Sequence, residues 1–160
     1  MATRLTDLEI QNLLRERKDL PPDYLHRLRT KPKSGHEERE LDLKGVSGSD
    51  FRVILRKSMY NIFDFSVILA YCVLGTTQVF RLRRYNGRSH EHTNAIEGAT
   101  FYAFHIHTAT ERYQDLGMRE DSFAEPTNRF SNFDEAVDCL FDDANFKTPE
   151  GQQGKLFKKE

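Results

Sequence analysis

Between positions 40 and 108 apolar and polar residues alternate, and turn-forming residues break the alternation into short runs. Side chains two apart on an extended chain point the same way, so a period of two marks strands with one buried face. Four runs carry it: 50–57 (DFRVILRK), 62–71 (IFDFSVILAY), 79–85 (VFRLRRY) and 100–108 (TFYAFHIHT), and 40–44 adds a short fifth. Gly75-Thr76-Thr77 and Asn86-Gly87 separate the later runs. Connections this short join antiparallel neighbours, so the pattern predicts a meander of four to five strands.

Helical periodicity flanks these runs. Thr6 stands where a helix N-cap belongs, Glu9 follows three residues later as in a capping box, and Ile10, Leu13 and Leu14 form an apolar stripe. A short second helix is expected near 24–29. At the other end Phe133, Val137, Leu140 and Phe141 share one face of a helix expected from 131 to about 145. The reading is an α+β fold, its sheet packed on one face by N- and C-terminal helices, with 1–148 as one domain and 149–160 as a polar tail with no core to join.

The chain has 160 residues, a size that suits one domain, and its twelve Phe supply a core. No run approaches the roughly 20 apolar residues of a membrane span, and MATRLTDLEI lacks the apolar stretch of a signal peptide. A cytoplasmic protein without membrane partners is expected. Cys72 and Cys139 sit in apolar patterns without ligand spacing and read as small hydrophobes. Net charge is −1, which excludes a global field for nucleic acid, although 52–57 and 81–88 are locally basic and 111–143 acidic.

Alternation also assigns faces. If Phe51, Val53, Leu55, Phe80, Leu82, Tyr102, Phe104 and Ile106 turn toward the helices, the opposite face gathers Arg52, Arg56, Arg81, Arg83, Tyr85, His105 and His107. Two readings of that face stand: a solvated surface of cross-strand ion pairs, or a basic, histidine-bearing site.

Four of the six histidines favour the site, in the pairs His90-Glu91-His92 and His105-Ile106-His107. On extended chain each pair projects two imidazoles to one side, about 7 Å apart at the backbone. One chemistry these residues suit is metal-free cleavage of RNA by a toxin-like nuclease. His92, His105 and His107, with Glu111 and Tyr113, would be the catalytic proton-transfer groups, and Arg81, Arg83 and Arg112 would hold phosphate. The alternative is metal binding: His105, His107 and Glu111 form H-x-H-x3-E, a donor set for a divalent transition metal. A third reading is a noncatalytic phage or mobile-element protein whose basic face and acidic 111–143 segment meet a protein partner or RNA by charge.

Two resemblances accompany these readings. The segment from Gly98 through His105, His107 and Glu111 to Gly117 resembles the first metal-binding motif of the cupin family, which implies a metal on those three side chains. No histidine follows His107 to supply the second cupin motif. Leu5-Thr6-Asp7, the 80–87 strand, His92-Thr93-Asn94 and His105-Ile106-His107 resemble a family of small bacterial and phage proteins. Here Ala95-Ile96-Glu97-Gly98 stands where that pattern has Asn-Pro-Asp-Gly. This second resemblance implies no particular activity.

Overall fold

A computed structural model describes residues 3–154; positions 155–160 of the expected tail lie outside the described residues. In chain order the elements are α1 (Asp7–Arg15), β1 (Lys18–Asp19), α2 (Tyr24–Arg27), β2 (Lys31–Lys33), β3 (His36–Lys44), β4 (Asp50–Ser58), β5 (Phe65–Cys72) and β6 (Val79–Asn86). They continue with β7 (His92–Thr93), β8 (Thr100–Phe101), β9 (His105–Thr108), α3 (Glu111–Asp115), β10 (Ala124–Pro126), α4 (Phe133–Asp143) and β11 (Phe146–Lys147). Seven strands form one antiparallel sheet in the order β10-β9-β6-β5-β4-β3-β2, an α+β meander wider than the four to five strands expected.

The helices form where their caps specify. Thr6 accepts the Glu9 N–H and the Glu9 carboxylate accepts the Thr6 N–H, so α1 opens on a complete capping box. Asn132 caps α4 by accepting the Glu135 N–H. Ile10 and Leu14 of α1, and Val137, Leu140 and Phe141 of α4, join Phe51, Val53, Leu55, Val67 and Leu69 of the sheet in one core. At roughly 25 cal/mol per Å² of buried apolar surface, this shared cluster is the main driving force for the layer packing. No helix among the described residues is long and apolar enough to cross a membrane.

Strict alternation fails on β6, with consequences for the site. Leu69 pairs with Arg83 but Ala70 pairs with Arg81, so Leu82 bulges out of register. A bulge adds one residue to one strand and shifts its phase. Beyond it Tyr85, instead of lying on the basic face, is fully buried on the helix side, where its hydroxyl donates to Asp143 Oδ2 at 2.5 Å. Arg83 turns the same way, with Nη1 3.6 Å from Asp143. Arg84 therefore takes the position on the histidine face that simple alternation assigned to Arg83.

The run 100–108 is not one strand either. Thr100 and Phe101 pair with β7 to form a separate hairpin, and only His105–Thr108 enters the large sheet. Tyr102, expected on the apolar face, falls in the break and is exposed. Near the end of the described residues, Gly154 N–H donates to Phe146 O and Gln153 Nε2 to Phe141 O, so the first part of the expected tail is docked.

Candidate metal centre

Strand β9 sets His105 and His107 side by side on the sheet face away from the helices. The β7–β8 hairpin folds over them, leaving them 1% and 3% exposed. It contributes a third imidazole: the His92 ring lies 5.6 Å from that of His105 and 4.8 Å from that of His107. Phe101, opposite His92 in the hairpin, packs against the His92 and His105 rings.

Each imidazole has one nitrogen engaged by an acceptor. His92 Nε2 lies 2.9 Å from Asn94 Oδ1, His105 Nδ1 2.8 Å from Ala103 O, and His107 Nδ1 2.7 Å from Asp121 O. A carbonyl oxygen only accepts, so these are the protonated nitrogens and they donate. Asn94 is oriented by Ala124, which receives its Nδ2–H and donates N–H to its Oδ1. In the neutral rings a lone pair then remains on His92 Nδ1, His105 Nε2 and His107 Nε2.

One ligand nitrogen from each of the three histidines lies within 4.8 Å of the others. The Nε2 of His105 is sealed from solvent, with no hydrogen-bond partner among the described residues. A buried acceptor without a partner carries a desolvation penalty, which a cation bound at His105 Nε2 would remove. Metal–nitrogen bonds of about 2.1 Å in a tetrahedral site put the nitrogens about 3.4 Å apart, so movements of the order of an ångström complete the set. Hydrogen bonds from the opposite ring nitrogen to carbonyl oxygens are the usual means of orienting metal-binding imidazoles.

Beside the histidines opens a cleft of about 240 Å³, lined among others by Arg84, His90, His92, Thr93, His107, Tyr113, Arg119 and Asp121. Arg84 Nε donates to Asp121 Oδ2 at 3.1 Å, and Asp121 itself is fully buried. Arg84 Nη2 stands 3.4 Å from His107 Nδ1, but that nitrogen's proton is already directed at Asp121 O, so it is no acceptor for the guanidinium.

The residues singled out in sequence are distributed unevenly around this centre. His92, His105 and His107 converge; His90 is exposed at the cleft mouth. Glu111, expected as third ligand, instead accepts the Asp7 N–H at 2.7 Å while Asp7 accepts the Glu111 N–H at 2.9 Å, so the starts of α1 and α3 cap one another. His92 takes the place of Glu111 in the cluster. Tyr113 borders the cleft, yet its hydroxyl donates to Glu97 and accepts from the Ile96 N–H. Arg112 pairs with the same Glu97 and lies over the Phe123 ring. Arg81 shares the sheet face, where its N–H donates to Glu120, and Arg83 faces Asp143. Simple alternation therefore missed Arg84, and nothing local marked Asp121 as its partner.

Burial is the largest influence on the two sheet histidines and holds both neutral. His105 is lowered from 6.5 to about 4, helped by His92, Arg84 and His90 and opposed by its bond to Ala103. Burial, then Arg84, His105 and His92, lower His107 from 6.5 to about 2, opposed by the bond to Asp121. The unfolded chain thus binds these protons at a higher pH than the fold does. Stability of the metal-free protein should be full above pH 6.5 and fall as pH drops toward 4, with each group contributing up to ~1.4 kcal/mol per pH unit. Urea denaturation in chelator between pH 7 and 4.5 measures this, and a midpoint that does not move across that range contradicts it.

Comparisons with family models, with curated proteins and with solved structures find no match.

Proposed function

We propose that this chain is a divalent-metal protein in which His92, His105 and His107 ligate one ion and the adjoining cleft gives substrate access to it. The observation that carries the reading is the convergence of three imidazoles, each with one ring nitrogen tied to Asn94, Ala103 or Asp121. Three neutral nitrogen donors suit zinc, with other imidazole-binding transition metals as competitors. Three protein ligands leave a position for water or substrate, the arrangement of catalytic zinc sites, in which a bound water becomes acidic near pH 7. The reaction class this supports is metal-assisted hydrolysis.

RNA cleavage fits within that class as its phosphodiester case, with metal-bound water replacing a histidine base. Neutral, buried His105 and His107 are better suited to ligation than to donating protons at pH 7, and Arg83 and Arg112 are engaged with carboxylates away from the cluster. The test is elemental analysis of protein purified without a polyhistidine tag. One transition-metal ion per chain is expected, removable by chelator and restored by one equivalent of zinc with a rise in Tm. Metal-free protein that also fails to bind added zinc, cobalt or nickel would sink the reading.

A further inference from the structure

We propose that the cleft beside the three histidines is an oxyanion site that takes a phosphate or phosphate monoester on Arg84 and Arg119, an inference that rests on the metal reading above. The first ground is the state of Arg84. Its Nε is bound to Asp121 Oδ2, and its Nη2 stands 3.4 Å from a His107 ring nitrogen whose own proton goes to Asp121 O. Among the described residues, the largely buried guanidinium thus keeps Nη2 without a protein acceptor beside the cleft, and guanidinium donors match the oxygens of a phosphate.

The second ground is charge. Arg119 also borders the cleft; its side chain is 61% exposed and holds Asp121 Oδ1 only at 3.9 Å, so it can turn onto a ligand. The Glu97 carboxylate is already matched, since it binds both Tyr113 and Arg112. Two arginines therefore face one carboxylate, and a divalent ion on the histidines adds two further positive charges. The net excess of three suits a phosphate dianion better than a carboxylate monoanion. The cleft volume of about 240 Å³ admits a phosphoryl group with a small organic remainder.

Zinc-loaded protein titrated calorimetrically with inorganic phosphate, with acetate as the competing oxyanion, tests this. Phosphate should bind the zinc-loaded protein at least tenfold more tightly than acetate does. Binding should weaken about tenfold in Arg119→Met, whose exposed position leaves folding intact, and by more than tenfold in the chelated wild type. If zinc binds stoichiometrically but phosphate does not bind, binds no better than acetate, or binds Arg119→Met as tightly as wild type, the oxyanion site is overturned and the metal reading stands. If zinc itself does not bind, the metal reading fails and takes this inference with it.

Discussion

Replacing His105 by alanine is expected to abolish stoichiometric metal binding while the sheet remains folded. Among the described residues, His105 supplies the one ligand nitrogen that is sealed from water and without a hydrogen-bond partner, so in the ion's absence it has only a desolvation penalty to lose. Loss of an outer hydrogen-bond partner of a ligand weakens metal binding by roughly 10–100-fold, and loss of the ligand itself should exceed that range. Asn94→Ala, which frees His92 and removes the tie to Ala124, should fall inside it. His90→Ala is the control, because its exposed ring lies outside the converging set and should leave stoichiometry unchanged. Zinc titration followed by calorimetry, with circular dichroism to verify folding, separates the outcomes. A folded His105→Ala protein that still binds one zinc with wild-type affinity refutes the three-histidine assignment.

Part of this centre was legible in the sequence. Residues 105 and 107 had to share a face, because extended chain alternates and the surrounding run is strand-like. Thr6 and Glu9 announced the first helix through a local hydrogen-bond pair, and local pairs are what sequence spacing encodes. The rest depended on contacts between distant residues. His92 meets His105 only because the chain breaks between Phe101 and His105 and turns the β7–β8 hairpin back over the sheet. Arg84 reaches the histidine face because Leu82 bulges, and no composition rule distinguishes that leucine from its neighbours. Glu111 left the expected ligand set for a reciprocal cap with Asp7, a partner 104 residues away. In each case an alternation rule valid for regular backbone was overridden where the backbone ceased to be regular, which is also where the site lies.

Lys18→Met should be among the most destabilising single substitutions in the chain. Lys18 is completely buried, and its ammonium donates to Leu13 O, Leu14 O and Glu16 O at the end of α1 and to Ala144 O at the end of α4, at 2.8 to 3.2 Å. Helix C-termini carry unpaired carbonyls and partial negative charge, so one cation here closes two helix ends at once. The Phe51 ring, 4.5 Å away, adds a cation–π contact. Methionine matches the length and supplies no donor. Carbonyls left buried without a partner cost about 1–3 kcal/mol each, partly offset because the ammonium's own desolvation penalty disappears. The expected net loss is ~3–5 kcal/mol, a large share of the ~5–15 kcal/mol that stabilises a typical domain. Burial, opposed by Glu16, lowers the Lys18 pKa from 10.5 to about 8. Between those values the unfolded chain holds the proton that the fold has released, so wild type should gain stability relative to the variant as pH rises from 8 to 10.5. Urea denaturation of both proteins at pH 7 and pH 10 measures the two effects together. A difference below about 1 kcal/mol at pH 7 would mean that the carbonyls find other partners and that Lys18 does not hold the two helix ends together.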